Sequence, residues 1–243
     1  MNLIIDVGNT TLKWAVFNEN DLVFKTVTHK KVFKSTLNKL LKTFPEINSA
    51  ILSTVGKLPE KDSQHLKNKV QNLHVLNANS KLPFKNHYKT PKTLGVDRMA
   101  LIAAASIQYP NQNVLVIDAG TCITFDFVTK ENNYLGGSIA PGIQLRYKAL
   151  HNLTANLPLL EPQAPESVIG NTTNRAIHAG VMLGTVAEID GLIDKYKEDY
   201  SDLTVILTGG DTKFLSKNLK STIFANSNFL LEGLNYILQL NSY

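Results

Sequence analysis

The chain has 243 residues, room for one large domain or two small ones, and 43% of them are hydrophobic, which supplies a proper core. The formal net charge of +5, spread without any long block of one sign, suits small anionic ligands as well as it suits nucleic acid. One cysteine, Cys122, excludes an internal disulfide framework or a cysteine-based metal site. The N-terminus carries no signal-peptide pattern, and no apolar run approaches the roughly 20 residues of a bilayer span, so a cytoplasmic protein with no membrane partner is expected.

In chain order, residues 2–7, 12–18 and 22–28 have the pattern of strands, the first two joined by an Asp-Gly turn. Phe33, Leu37, Leu40, Leu41 and Phe44 recur at helical spacing with lysines on the other face, which predicts a helix over 31–43. A short buried strand follows at 49–54, a polar helix at 60–71, a strand at 73–76 and an Ala-rich helix at 95–109. The second half opens with strands at 114–118, 122–128 and 133–135. Pro158, Pro162 and Pro165 interrupt it in a loop over 156–166. A long helix over 173–198, a strand at 203–207, a helix at 211–219, a strand at 222–225 and a helix at 227–239 complete the chain.

The chain repeats itself once. "LIIDVGNTTLKWAVF" at 3–17 returns in outline as "VLVIDAGTCITFDFV" at 114–128, so that Asp6 answers to Asp118, Gly8 to Gly120 and Asn9 to Thr121. Two halves follow, 1–112 and 113–243, each an α/β unit with a mixed sheet, and the expected ligand site is the cleft between them.

Four turns carry candidate chemistry. "DVGNT" at 6–10 and "DAGT" at 118–121 join paired strands; glycine there lets backbone N–H groups approach an anion, and Asn or Thr adds donors. An Asp in such a loop works through a metal ion rather than on phosphate directly. "TGGD" at 208–211 ends a strand with room for a flat base or ribose, and "GVDR" at 95–98 sets a carboxylate beside a guanidinium at a helix start. Taken singly, each is equally a hairpin turn, a dipole-complementing acid or a surface ion pair.

Jointly they resemble the actin and sugar-kinase superfamily, whose two RNase H-like halves, mixed sheets flanked by helices, close on ATP. "DVGNTTLK" at 6–13, "GVDR" at 95–98, "DAGTCIT" at 118–124, "GGSIAPG" at 136–142, "IGNTT" at 169–173 and "TGGD" at 208–211 stand in the order seen in the type III pantothenate kinases. The resemblance runs from residue 2 to at least 211. It implies ATP-dependent phosphorylation of pantothenate at its 4′ hydroxyl, the first step toward coenzyme A. By the same resemblance Asp6, Val7, Gly8, Asn9, Thr10, Thr11, Leu12 and Lys13 grip the ATP phosphates, Asp6 through Mg²⁺, and Thr121 adds a hydrogen bond from the second loop. Asp118 ligates a monovalent cation, potassium or ammonium. Asp97 is the general base, and Tyr88, Gly95, Val96, Asp97, Arg98 and Thr173 line the pantothenate pocket, at or near the interface of a homodimer. Arg98 is a reasonable partner for the substrate carboxylate.

The chain departs from the family pattern at Cys122 and Val96, where Ala is frequent, and at Met99, where some members carry an aromatic. Cys122 is expected to pack as a small hydrophobe without a catalytic role. Trp14 is expected in the core, His178 in a structural role, and Gly180 and Gly184 at a close helix contact. Two rivals share the fold: a phosphate-ester hydrolase and a regulatory protein accessory to transcription. Because Asp97, Asp118 and Thr121 are all present, the kinase is preferred and no nucleic-acid partner is expected.

Overall fold

The computed structural model describes residues 1–8, 11–54, 56 and 58–242. Two compact units emerge. The first comprises residues up to Pro110, the short segment Asn132–Tyr134 and the C-terminal segment from Asn228; the second comprises Asn111–Glu131 and Leu135–Ser227.

In the first unit β1 (Asn2–Val7), β2 (Thr11–Asn18) and β3 (Asp21–His29) form an antiparallel meander, and β4 (Ser49–Thr54) and β5 (Asn72–Val75) extend it in parallel. The order is β3-β2-β1-β4-β5. Strand alternation decides the two faces. Leu3, Ile5, Val7, Leu12, Trp14 and Val16 point to one side, where Phe33, Leu37 and Leu40 of α1 (Phe33–Thr43) and Leu66 of α2 (Glu60–Lys69) complete a core. The opposite side receives α3 (Val96–Gln108), in which every residue from Arg98 to Ala105 is buried. A two-residue strand, β6 (Lys85–Asn86), precedes α3 and was not apparent in the sequence.

The second unit repeats the plan. Its strands β7 (Val114–Ala119), β8 (Cys122–Val128), β9 (Asn133–Pro141, whose first two residues fall in the first unit), β10 (Thr204–Thr208) and β11 (Phe224–Ala225) lie in a six-stranded sheet of order β11-β10-β7-β8-β9-β6, β6 joining β9 at Asn133 and Tyr134, so each unit has the RNase H-like arrangement of a central first strand between an antiparallel and a parallel neighbour. Ile117, Ile123, Phe125 and Phe127 pack against Ile189 and Ile193. β9 runs to Pro141, well beyond the expected end at residue 135. A helix, α4 (Ile143–Asn152), follows it where none was expected, because only Ile143 and Tyr147 supply a buried i, i+4 pair.

The long helix is continuous over 173–199: α5 (Thr173–His178), a π-helical segment at Ala179–Leu183, and α6 (Gly184–Asp199). Among the described residues it alone has the length and apolar composition to cross a membrane, but Ile189 and Ile193 place its second half in a folded core. A methyl group added at Gly180 or Gly184 would meet nothing within 4 Å, so the expected close helix contact is not made among the described residues. After β10, α7 (Thr212–Asn218) leads to β11.

The last helix, α8 (Phe229–Asn241), belongs with the first unit rather than with the half that precedes it. Leu230, Leu234, Ile237 and Leu238 are buried where α8 meets α3, β1 and β4, and a Cβ on Gly233 would strike the Ala100 carbonyl. The expected boundary after residue 112 therefore lies two residues from the observed one, while the C-terminal helix crosses it. Trp14 is buried as expected, its Nε1–H donating to Thr28 Oγ1 at 2.9 Å. Cys122 is exposed instead of packed: it is the first residue of β8, where the turn lifts it out of the core.

Candidate active site

In each unit, taken by itself, candidate residues stand at the end of the central strand. Asp6, next to the last residue of β1, is opposite Lys13 on antiparallel β2 and Ser53 on parallel β4. Side chains in register share a face. Ser53, fully buried, donates its hydroxyl to Asp6 Oδ1 at 3.2 Å, and Lys13 Nζ lies 3.7 Å from Oδ2. That is an ion pair too long for a direct hydrogen bond, and the Lys13 side chain is 45% exposed, so its ammonium keeps donors for another anion. Asp6 is 5% exposed. Burial pushes its carboxyl above the ordinary carboxylate range; Lys13 and Ser53 pull it back, and the nearby charge of Asp97 pushes it up again.

The turn after β1 is closed by the Gly8 N–H donating to the Thr11 carbonyl at 3.0 Å. Asn9 and Thr10 lie outside the described residues. Val7 and Leu12, expected in the phosphate loop, direct their side chains into the core, as strand alternation requires; only their backbone is available to a ligand.

Asp97 occupies the first turn of α3. Its Oδ1 folds back to accept from the Arg98 N–H at 2.8 Å, which fixes the carboxylate and leaves Oδ2 for another partner. Gly95 makes this possible, because a Cβ there would collide with that Oδ1. Arg98 is 4% exposed, and its guanidinium carbon lies 5.5 Å from the ring centroid of half-buried Tyr88. Asp6, Lys13, Tyr88, Gly95, Val96, Asp97 and Arg98 thus belong to one unit.

The second unit presents the counterpart turn. Asp118 on β7 is opposite Thr124 on β8 and Thr208 on β10. The Gly120 N–H donates to the Cys122 carbonyl at 2.9 Å, across a hairpin one residue shorter than that between Gly8 and Thr11, and the Thr121 carbonyl is held by the Gly142 N–H at 3.1 Å. Gly209 packs under the acid in a left-handed conformation with φ of 96°; a Cβ there would overlap the Ala119 carbonyl and the Asp118 carboxylate. Thr124 Oγ1 is buried and has no hydrogen-bond partner among the described residues. Asp211, beyond the two glycines, is partly buried, and that burial raises its carboxyl. Thr173 is exposed at the start of α5 in this unit, and His178 meets Tyr147 Oη at 2.8 Å, consistent with a structural role.

Two residues of this arrangement lay outside every motif, Ser53 and Tyr134, the ring on which Tyr88 stacks; Thr124 and Thr208 lay within "DAGTCIT" and "TGGD" but were given no role. Ser53 and Thr208 share a further signal, since extending the internal repeat to the neighbouring strands sets "AILST" at 50–54 beside "VILT" at 205–208, each ending in a hydroxyl. Tyr134 had none.

Among the described residues no group of three or more His, Cys, Asp or Glu is placed to hold a metal ion. The donors are single carboxylates with hydroxyl neighbours, which suit an ion held chiefly by phosphate oxygens or a weakly bound monovalent cation.

Comparison with known proteins bears on the same residues. A model of the type III pantothenate kinase family matches residues 2–195. Type III pantothenate kinases of Flavobacterium johnsoniae and Christiangramia forsetii are each 51% identical to this chain, over 98% and 99% of both sequences respectively. That of Bacteroides fragilis is 42% identical over essentially the full length. Among solved structures, a Campylobacter jejuni protein assigned to the Baf family of transcriptional activators superposes with a TM-score of 0.63 at 24% identity, covering 99% of this chain and 98% of that one. A glucokinase from an Antarctic psychrotroph does so at 0.53 and 14%, covering 98% of each. The structural likenesses speak for the fold alone, that of the sugar kinases; the end-to-end sequence identity is narrower, and by it this chain belongs to the type III pantothenate kinase family.

Proposed function

We propose that this protein is a cytoplasmic kinase that transfers the γ-phosphoryl group of ATP to the 4′ hydroxyl of pantothenate. The observation that carries this is the grouping in one unit of a buried acid with a half-free lysine, Asp6 and Lys13, and an oriented carboxylate, Asp97, whose charge Asp6 feels. In the transfer the hydroxyl oxygen forms a bond to the γ-phosphorus as the bond to the β,γ-bridging oxygen breaks, and the hydroxyl proton passes to Asp97 Oδ2. ADP leaves. The bond from the Arg98 N–H orients the base, which is worth as much as its basicity in a reaction that depends on alignment. Lys13 supplies positive charge to phosphate oxygens, and Arg98, its guanidinium over the Tyr88 ring, supplies it to the substrate carboxylate.

Asp6 would hold Mg²⁺ jointly with the ATP phosphates; the ion would neutralise charge on them. Asp118, with the unpartnered Thr124 hydroxyl opposite it and Thr121 beside it, would contribute to a potassium or ammonium site. Such a cation takes several oxygens, and one carboxylate with hydroxyls and carbonyls provides weak, exchangeable binding. A homodimer is part of the same proposal. The apolar groove between α4 and α5, lined by Leu150, Leu153, Leu157, Ile177 and Gly180, leaves Leu153 83% exposed, a surface suited to a second copy.

The test is product analysis. Purified protein with ATP and pantothenate should release ADP and convert pantothenate to a monophosphate in equal amounts. ADP release without any phosphorylated pantothenate would contradict the proposal.

A further inference from the structure

Tyr88 lies just beyond β6, a strand of only two residues, so its own neighbours in the chain do little to hold it. The support comes from residue 134. Tyr88 stacks on Tyr134 with ring centroids 6.1 Å apart and planes 19° from parallel, while Phe84 meets the same ring edge-on at 5.8 Å and 70°. Tyr134 is completely buried and Phe84 nearly so. The backbone fastens the same place. Lys85 and Asn86 pair in parallel with Asn133 and Tyr134, the His87 N–H donates to the Tyr134 carbonyl at 3.0 Å, and the Tyr88 N–H donates to Asn86 Oδ1 at 2.9 Å. The order is therefore Phe84, Tyr134, Tyr88, Arg98, from a buried anchor to a guanidinium.

We propose that Tyr134 is a positioning residue for the pantothenate pocket, its buried ring setting the plane of Tyr88 and, through it, the place of the Arg98 guanidinium. This rests on the assignment of Tyr88 and Arg98 to that pocket. Offset aromatic stacking and a cation over a ring face are both geometry-dependent, so a tilted Tyr88 weakens the grip on the substrate's carboxylate end. The nucleotide side, built on Asp6 and Lys13, makes no use of this stack.

The experiment measures KM for pantothenate and for ATP, and kcat, in Tyr134→Leu, Tyr134→Phe, Tyr88→Leu and the Tyr88→Leu/Tyr134→Leu double variant. Tyr134→Leu should raise the pantothenate KM about tenfold, an effect typical of losing one aromatic pair, with ATP KM and kcat within about twofold. Tyr134→Phe keeps the ring and should stay within about threefold. On the Tyr88→Leu background the second substitution should add less than about twofold, because the two residues act as one unit. A full-sized effect on that background, or a parallel loss in both KM values and kcat, would overturn the inference. Should Tyr134→Leu fail to fold, Phe84→Leu takes its place, with a smaller rise in pantothenate KM alone supporting the inference and an unchanged KM overturning it. An unchanged pantothenate KM in Tyr88→Leu itself would overturn the pocket assignment, and the inference with it. A raised KM in Tyr88→Leu beside an unchanged one in Tyr134→Leu would overturn the inference alone.

Discussion

At the end of β1, Asp6 faces Lys13 and Ser53; at the end of β7, Asp118 faces Thr124 and Thr208. The two acids share their place in the strand order, each beside an antiparallel and a parallel neighbour and followed by a glycine whose N–H bonds across the hairpin, so strand pairing does not distinguish them. The side chain across the antiparallel pair does. A lysine beside a buried carboxylate balances its charge and leaves an ammonium for phosphate, whereas a threonine brings oxygen without charge. Under the proposed function the same fold feature, used twice, would serve a phosphate-bound divalent ion in one unit and a loosely held monovalent one in the other.

The largest effect expected comes from a residue outside both turns. Asp97→Asn keeps the shape and the bond from the Arg98 N–H but removes the proton acceptor, and kcat should fall at least ~10²-fold with ATP binding nearly intact. Activity within a few-fold of wild type would show that the two turns suffice without a base.

Next is the first turn itself. Asp6→Asn should raise the magnesium needed for half-maximal rate by roughly tenfold, the usual scale for losing a charge-assisted ligand contact. It should also raise Tm at neutral pH. Burial lifts the Asp6 carboxyl above its unfolded value, so the native state binds more protons than the unfolded one between the two values. Stability then falls as pH rises through that window and the cost remains above it. Removing the charge removes the cost. A lower Tm in Asp6→Asn would mean that its bond to Ser53 outweighs burial.

A smaller change follows from Lys13→Met, read as the acid-side midpoint of the magnesium-dependent rate. Lys13 is the chief influence pulling the Asp6 carboxyl down, so without it that midpoint should move to higher pH, whatever happens to the maximal rate. A midpoint that stays in place, or moves down, would separate the lysine from the acid.

Much of this was legible in the sequence for a physical reason. Strands with one buried face alternate visibly, and an acid-glycine turn that recurs after the same apolar run marks two copies of one unit. The positions of Asp6, Lys13, Asp97 and Asp118 follow from that repeat and from the family motifs. What was not legible depended on contacts distant along the chain. Nothing local in Phe229–Asn241 says that this helix packs on α3, in the middle of the sequence, and on β1 at its start. Tyr134 is one aromatic in a strand until its ring is seen beneath Tyr88. Cys122 was misjudged because its apolar character outweighed its place at a turn, and α4 because two buried residues do not make a periodic face.

The most direct test of the division of labour is initial rate against potassium at constant ionic strength, with sodium as the replacement, for wild type, Asp118→Asn and Asp6→Asn. Constant ionic strength removes general screening from the comparison. The wild type should be stimulated by potassium, Asp118→Asn should need several-fold more of it or lose the stimulation, and Asp6→Asn should keep the wild-type potassium dependence at a lower rate. A wild-type rate indifferent to the exchange of potassium for sodium, or an Asp6→Asn curve displaced as far as that of Asp118→Asn, would contradict the account.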